Sequence, residues 1–308
     1  MSVISLSRIG RGLESPNLFL RELNRFYYKQ LYTQSYNTGG IDIFEQDWDN
    51  LIVLDACRYD LFENTADLEG QLESRISRAS STPEWLRANF KGRKLHDTVY
   101  ITANPQLFRH REEIDVEFHD VINIWQEDGW DEEHQTVLPE TVTKRSIEAA
   151  DKYPNKRLLI HYIQPHYPFL TSIDQPFEDS QAFLKPDEAG SWHQAVIGKI
   201  DPDPEIVWQA YRDTLERALP HVEELVQGIT GKSVVTADHG NMVGERATPF
   251  PIREWGHPRG IYTDELVKVP WLVIEGESRK ITARKPVEST NSVTDKVVQD
   301  RLEKLGYT

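Results

Sequence analysis

The sequence predicts an α/β fold, a mostly parallel central sheet with helices on both faces. Three observations carry this. Short apolar runs rich in branched residues recur along the chain, helical periodicity fills the gaps between them, and functional side chains collect where the runs stop. A parallel strand covered on both faces reads as such a run, and its return connection is usually a helix. The 308 residues suffice for one large domain of this kind.

The expected strands are NLIVLDA (50–56), DTVYITA (97–103), RLLIHYI (157–163), KSVVTA (232–237) and VPWLVIE (269–275). The expected helices begin with PEWLRANF, whose Pro83 suits a first turn. PETVTKRSIEAADKY (139–153) follows, with Val142, Ile147 and Ala150 on one side. Residues 206–229 form a long helix that Pro220 should kink or split and Gly231 should close. TDKVVQDRLEKLGY reads as a terminal helix. Residues 170–205 carry Pro176, Pro186, Pro202 and Pro204 among many acidic residues. They read as a long surface excursion, of a kind that usually covers a site.

Residues 1–44 stand apart from the domain at 45–308. The first 40 residues hold five basic side chains (Arg8, Arg11, Arg21, Arg25, Lys29) against Glu14 and Glu22. Ser15-Pro16 reads as a helix start, and Leu20, Leu23, Tyr27 and Leu31 recur at helical spacing. This helical arm is expected to pack on its own domain or on a second copy in a homo-oligomer, with a membrane-surface helix as the weaker alternative.

The net charge is −15, from 35 basic and 50 acidic residues. Such a surface repels nucleic acid and anionic membranes, and abundant carboxylates also suit a cell with high internal salt. There is no run of 18 apolar residues and no secretory leader pattern, so a cytoplasmic protein without a transmembrane segment is expected. The single Cys57 sits beside an apolar run and reads as a small buried hydrophobe.

The chemistry lies at the ends of the strands, where α/β sheets gather functional groups. The first strand stops at Asp55, and the third leads into QPHYPF with His166. The fourth stops at TADHGN with Asp238 and His239, and EWGHPRG supplies His257 before the last strand. Asp and His are oxygen and nitrogen ligands for zinc and manganese. A single one of these residues is commonly a cap or a structural histidine, but their coincidence at strand ends points to a metal site.

These motifs resemble the alkaline phosphatase superfamily, on its sulfatase and phosphodiesterase side. TADHGN resembles its Asp-His-Gly metal motif, LDACR its opening strand, QPHYPF its His-x-Pro turn, and EWGHPRG with LVKVPWLVI its late His-Gly region. The resemblance spans roughly residues 50–275 in the family's order. It implies a nucleophile at a helix N-terminus in ISRASSTPEWL. There Ser81-Thr82-Pro83 fits a Ser-x-Pro frame and makes Ser81 the candidate, with Thr82 and Ser80 as rivals and a plain helix cap as the alternative. It also implies roles for Arg58, His166 and His257 in holding the ester's oxygens or protonating its leaving group.

The chain departs from the family at Ala56, Trp85 and Tyr162, where a second acidic ligand, an Arg and a further Asp would stand. One divalent ion held by Asp55, Ser81, Asp238 and His239 is therefore expected. Mn²⁺ or Zn²⁺ is favoured over Mg²⁺ or Ca²⁺ because imidazole is a poor ligand for calcium. The resemblance implies a hydrolase or transferase acting on small-molecule, glycan- or lipid-linked phosphate or sulfate esters through a covalent seryl intermediate. The rival is a domain that keeps the fold as a binding or scaffold subunit without turnover.

Overall fold

The run Asn50–Leu54 forms β1, and every residue of it is buried. The structure, a computed structural model, describes residues 16–31, 35–171, 191–286 and 295–307. Strand side chains alternate between faces, and β1 shows the consequence. Ile52 and Leu54 join one hydrophobic cluster, Leu51 and Val53 another on the opposite side. A strand apolar on both faces demands cover on both.

The other strands are β2 (Gln71–Ile76), β3 (Lys94–Thr102), β4 (Glu117–Asn123), β5 (Arg157–Tyr162), β6 (Ser233–Thr236), β7 (Met242–Arg246), β8 (Arg253–Gly256) and β9 (Lys268–Ile274). Seven make one sheet in the order β2-β9-β6-β1-β5-β3-β4, and β7 pairs with β8 apart from it. The run β6-β1-β5-β3-β4 is parallel throughout. Only β9 opposes its neighbours β2 and β6. The fold is thus mixed α/β with a mostly parallel sheet.

The longer helices are α1 (Pro16–Leu31), α2 (Thr82–Phe90), α3 (Pro139–Lys152), α4 (Pro204–Gly228) and α5 (Asp295–Lys304). Val142 of α3, Leu215 and Val222 of α4 and Leu302 of α5 lie in one cluster, while Trp85, Leu86 and Phe90 of α2 lie in the other. Helices therefore cover both faces of the sheet.

Two expectations need correction, and a third falls largely on residues that are not described. Helix α4 runs unbroken through Pro220 and ends at Gly228 rather than near Gly231. Strands β2 and β4 have no counterpart in the sequence reading because each is a sheet edge. An edge strand needs no continuous apolar run; β2, QLESRI, has no buried residue. The long excursion at 170–205 lies largely outside the described residues, but Ser191–Val196 is helical and Trp192 packs against Gly256 of β8.

Helix α1 packs on its own domain. Arg21 is paired with the buried Glu254 at 2.8 Å, and the amides of Asn17 and Asn24 donate to the carbonyls of Val196 and Phe250. Its other side leaves Phe19, Phe26, Tyr27 and Leu31 exposed. Among the described residues, no helix is long and apolar enough to cross a membrane.

Candidate metal centre

Asp55 follows the last residue of β1, and Asp238 and His239 follow β6, its neighbour in the sheet. Pairing β1 with β6 in register therefore brings two strand ends, and their polar side chains, to one point. All three residues are fully buried, and ligand atoms from each lie within 4.8 Å of one another.

Each side chain has its outer atom held by the surrounding protein and its other atom turned toward a shared point. Asp238 Oδ1 accepts from the backbone N–H of Ala56 at 3.0 Å and of His239 at 2.9 Å, while its Oδ2 has no hydrogen-bond partner. His239 Nδ1 faces the Gly240 carbonyl at 2.7 Å. The proton is thereby assigned to Nδ1, which leaves the Nε2 lone pair pointing inward. Asp55 Oδ2 accepts from Asn104 Nδ2 at 2.6 Å and from the Tyr307 hydroxyl at 2.9 Å, leaving Oδ1 inward. The fourth inward atom is Thr82 Oγ1 at the first residue of α2, 3.2 Å from His239 Nε2 and 3.3 Å from Asp55 Oδ1.

These atoms form an acceptor-rich shell. His239 Nε2 lies 3.3 Å from Asp238 Oδ2 and 3.6 Å from Asp55 Oδ1. Four separations of 3.2–3.6 Å match the edge of a tetrahedron with arms of about 2.0–2.1 Å, the distance at which zinc takes nitrogen and oxygen. Burial, and then the facing Asp238 carboxylate, hold the Asp55 carboxyl well above the usual carboxylate range. A buried charged oxygen without a partner costs on the order of 1–3 kcal/mol or more. Two carboxylates and an imidazole lone pair aimed at one point have a simple remedy, a cation between them. The residues fit a single divalent ion, and the nitrogen donor favours zinc or manganese over calcium.

The backbone is shaped to allow this. Ala56 adopts a left-handed conformation (φ 59°), which turns the chain sharply after Asp55 and aims its N–H at Asp238. A β-carbon at Gly240 would lie 2.0 Å from the Glu265 carbonyl oxygen. The glycine of TADHGN is thus required by space: only hydrogen fits between the loop and the segment before β9. Gly240→Ala is expected to cost at least about 2–3 kcal/mol by overpacking, read as a lowered urea midpoint at unchanged m-value.

The sequence-predicted residues divide. Asp55, Asp238 and His239 come together. His166 and His257 meet beside them, Nε2 to Nε2 at 2.9 Å, and the His239 and His257 rings lie 4.7 Å apart. His166 Nδ1 faces the Tyr167 carbonyl at 2.5 Å. That assigns the proton between the two rings to His257. Burial lowers the pKa of His166 to about 4 and that of His257 well below its ordinary value, so both are neutral near pH 7.

Ser81 is not part of this set. It is the residue before α2, and its buried hydroxyl has no hydrogen-bond partner, neither capping the helix nor reaching the acidic pair. One residue on, the helix has begun and its turn carries Thr82 onto the site. Ser80 is also turned away, bonded to Glu84, the Pro258 carbonyl and the Gly260 N–H. Arg58 is engaged by other groups. Its guanidinium pairs with Asp60 at 2.6 Å and with Glu245, donates to the Asn241 carbonyl, and lies over the Trp208 ring.

Three site residues carry no motif. Asn104 stands just past β3 and could have been found as one more polar strand end. His161 interrupts the apolar run of β5, which is a signal in itself. Its Nδ1 meets the Tyr100 hydroxyl at 2.8 Å, and its partnerless Nε2 lies 3.6 Å from Asp55 Oδ2. Tyr307 is 252 residues from Asp55, and no local pattern connects them.

No protein-family model matches the chain, and no curated protein matches its sequence. Several solved structures are similar to it. The C-terminal periplasmic domain of the phosphoethanolamine transferase EptC from Campylobacter jejuni is 13% identical, with TM-score 0.45, over 73% of this chain and 78% of that one. The C-terminal periplasmic domain of EcEptC from Escherichia coli, in complex with Zn, is 14% identical, with TM-score 0.42, over 74% and 72%. A protein in the alkaline phosphatase superfamily from Vibrio parahaemolyticus is 11% identical, with TM-score 0.37, over 93% and 74%. At such identities the chemistry rests on this chain's own side chains.

Proposed function

We propose that the chain is a metal-dependent enzyme of the alkaline phosphatase type that transfers or hydrolyses phosphate or sulfate esters, with Thr82 as its nucleophile. One observation carries this. The only hydroxyl among the four inward atoms belongs to Thr82, and it touches both Asp55 and His239. Asp55, Asp238, His239 and Thr82 would hold one divalent ion, Zn²⁺ or Mn²⁺ by donor type. When bound, that ion would supply positive charge for the ester's oxygens and lower the pKa of the hydroxyl.

The protein's own groups do the rest. Thr82 opens α2, so the positive end of the helix dipole favours an anion there. Thr82 Oγ1 attacks phosphorus or sulfur: its O–H bond breaks as its bond to that atom forms, and the bond to the leaving oxygen breaks. The neutral His166–His257 pair beside the site is placed to take the proton that Thr82 releases and to give it to the leaving oxygen. Water or a second alcohol then cleaves the threonyl ester, and its proton returns to the Thr82 oxygen. The covalent intermediate is thus a threonyl rather than a seryl ester. The acidic surface favours a substrate with few negative charges, such as a monoester or diester on a small molecule, glycan or lipid.

The test combines elemental analysis with turnover of bis-p-nitrophenyl phosphate, p-nitrophenyl phosphate and p-nitrophenyl sulfate, with and without chelator. About one Zn²⁺ or Mn²⁺ per chain and chelator-sensitive turnover of one ester class support the proposal. Added alcohols that raise the release of p-nitrophenol would point to transfer. Bound metal without turnover of any ester would leave the rival, a binding domain.

A further inference from the structure

The residue before the chain's last stands at the centre of this site. Helix α5 is anchored by Val298, Leu302 and Leu305, all buried in the main cluster, and by Arg301 over the Trp130 ring. It ends at Lys304, and Gly306 two residues on has a left-handed φ of +77°. The N–H of Gly306 donates to Glu303 and that of Tyr307 to Leu302, the pattern of a glycine-terminated helix. This turn swings Tyr307 back over the sheet.

Its hydroxyl donates to Asp55 Oδ2 at 2.9 Å, accepts from Asn104 Nδ2 at 2.9 Å, and lies 3.3 Å from Thr82 Oγ1. Its ring stacks on His166, with centroids 4.7 Å apart and planes at 14°. The oxygen it holds is the outer one of Asp55; Oδ1 is the one that approaches His239. A carboxylate free at both oxygens can rotate about its Cβ–Cγ bond. Two donors on Oδ2 stop that rotation and keep Oδ1 inward. The stacked ring does the same for His166, whose imidazole otherwise has only the Tyr167 carbonyl and His257 to orient it.

We infer that Tyr307 is a positioning residue of the centre, fixing Asp55 through its hydroxyl and His166 through its ring. The inference rests on the proposal that Asp55 holds a metal. It makes the turn after α5 a working part of a site otherwise built from residues 55–257.

Two full-length variants test it. Tyr307→Phe keeps the ring and removes the hydroxyl, and Tyr307→Leu removes both. Zn²⁺ or Mn²⁺ affinity is measured by competition with a chromogenic chelator, alongside kcat, KM and the urea midpoint. Loss of an outer partner of a metal ligand commonly weakens metal binding or activity about 10- to 100-fold. Tyr307→Phe should show a loss of that size in metal affinity at a nearly unchanged urea midpoint. Tyr307→Leu should also lower kcat at saturating metal, because His166 loses its stack. Wild-type metal affinity in Tyr307→Phe overturns the inference while leaving the metal site standing. Faster ester turnover in either variant also overturns it, since Tyr307 would then be blocking the ester's place. A wild-type protein that binds neither metal overturns both this inference and the proposed function.

Discussion

Thr82→Ala is expected to lose ester turnover by at least about a thousandfold in kcat, the scale on which removal of a nucleophile acts, while Ser81→Ala stays within a few-fold of wild type. The two hydroxyls are adjacent in sequence and both buried, so the contrast controls for local packing. The Thr82 hydroxyl touches His239, Asp55 and Tyr307, whereas that of Ser81 has no hydrogen-bond partner. Thr82→Ser should retain most of the activity, since it keeps the oxygen and loses only a methyl group. Steady-state kinetics on the preferred p-nitrophenyl ester decide this. Equal losses in Ser81→Ala and Thr82→Ala would remove Thr82 from its proposed role. Mass spectrometry of a quenched reaction would show the added group on the peptide containing Thr82.

Asp238→Asn should do two opposite things. It should abolish binding of the cation, because one inward oxygen becomes an amide. It should also stabilise the metal-free protein by about 1–3 kcal/mol, the usual cost of a buried polar atom left without a partner. The asparagine keeps an oxygen for the N–H groups of Ala56 and His239, and its new N–H₂ replaces the partnerless Oδ2. That amide donates into a shell that otherwise consists almost wholly of acceptors.

The pH dependence follows the same logic. Asp55 is held above its ordinary range first by burial and second by Asp238. Without metal, its folded form binds a proton more tightly than its unfolded form does. The Asp55 contribution to stability therefore falls as pH rises above about 4. Asp238→Asn removes the second cause, so the fall should be shallower in the variant than in wild type. Urea unfolding of both metal-free proteins between pH 4 and 8 measures it. A variant less stable than wild type at pH 7 would mean that the two carboxylates do not oppose one another.

Asp55, Asp238 and His239 were legible because a covered parallel sheet announces its strands as apolar runs, and a polar residue at the end of such a run stands out. Their convergence depends only on β1 and β6 being neighbours. What the sequence left open was orientation. Ser81 and Thr82 differ by one position, yet the extended backbone at Ser81 (φ −161°, ψ 151°) and the helical start at Thr82 send their hydroxyls different ways. Spacing from Pro83 could not distinguish them. Arg58 stands three residues past Asp55, but the left-handed turn at Ala56 directs it to Glu245, 187 residues away. Edge strand β2 was hidden because its exposed side chains carry no apolar signature. Tyr307 was hidden more deeply, since its place depends on how α5 docks and on Gly306 ending that helix.

The most direct test of the account is an anomalous difference map from a crystal of the wild-type protein equilibrated with Zn²⁺ or Mn²⁺. The account predicts one peak per chain, within about 2.0–2.2 Å of Asp55, Thr82, Asp238 and His239. A peak held by other residues, or none among these four at saturating metal, would contradict it.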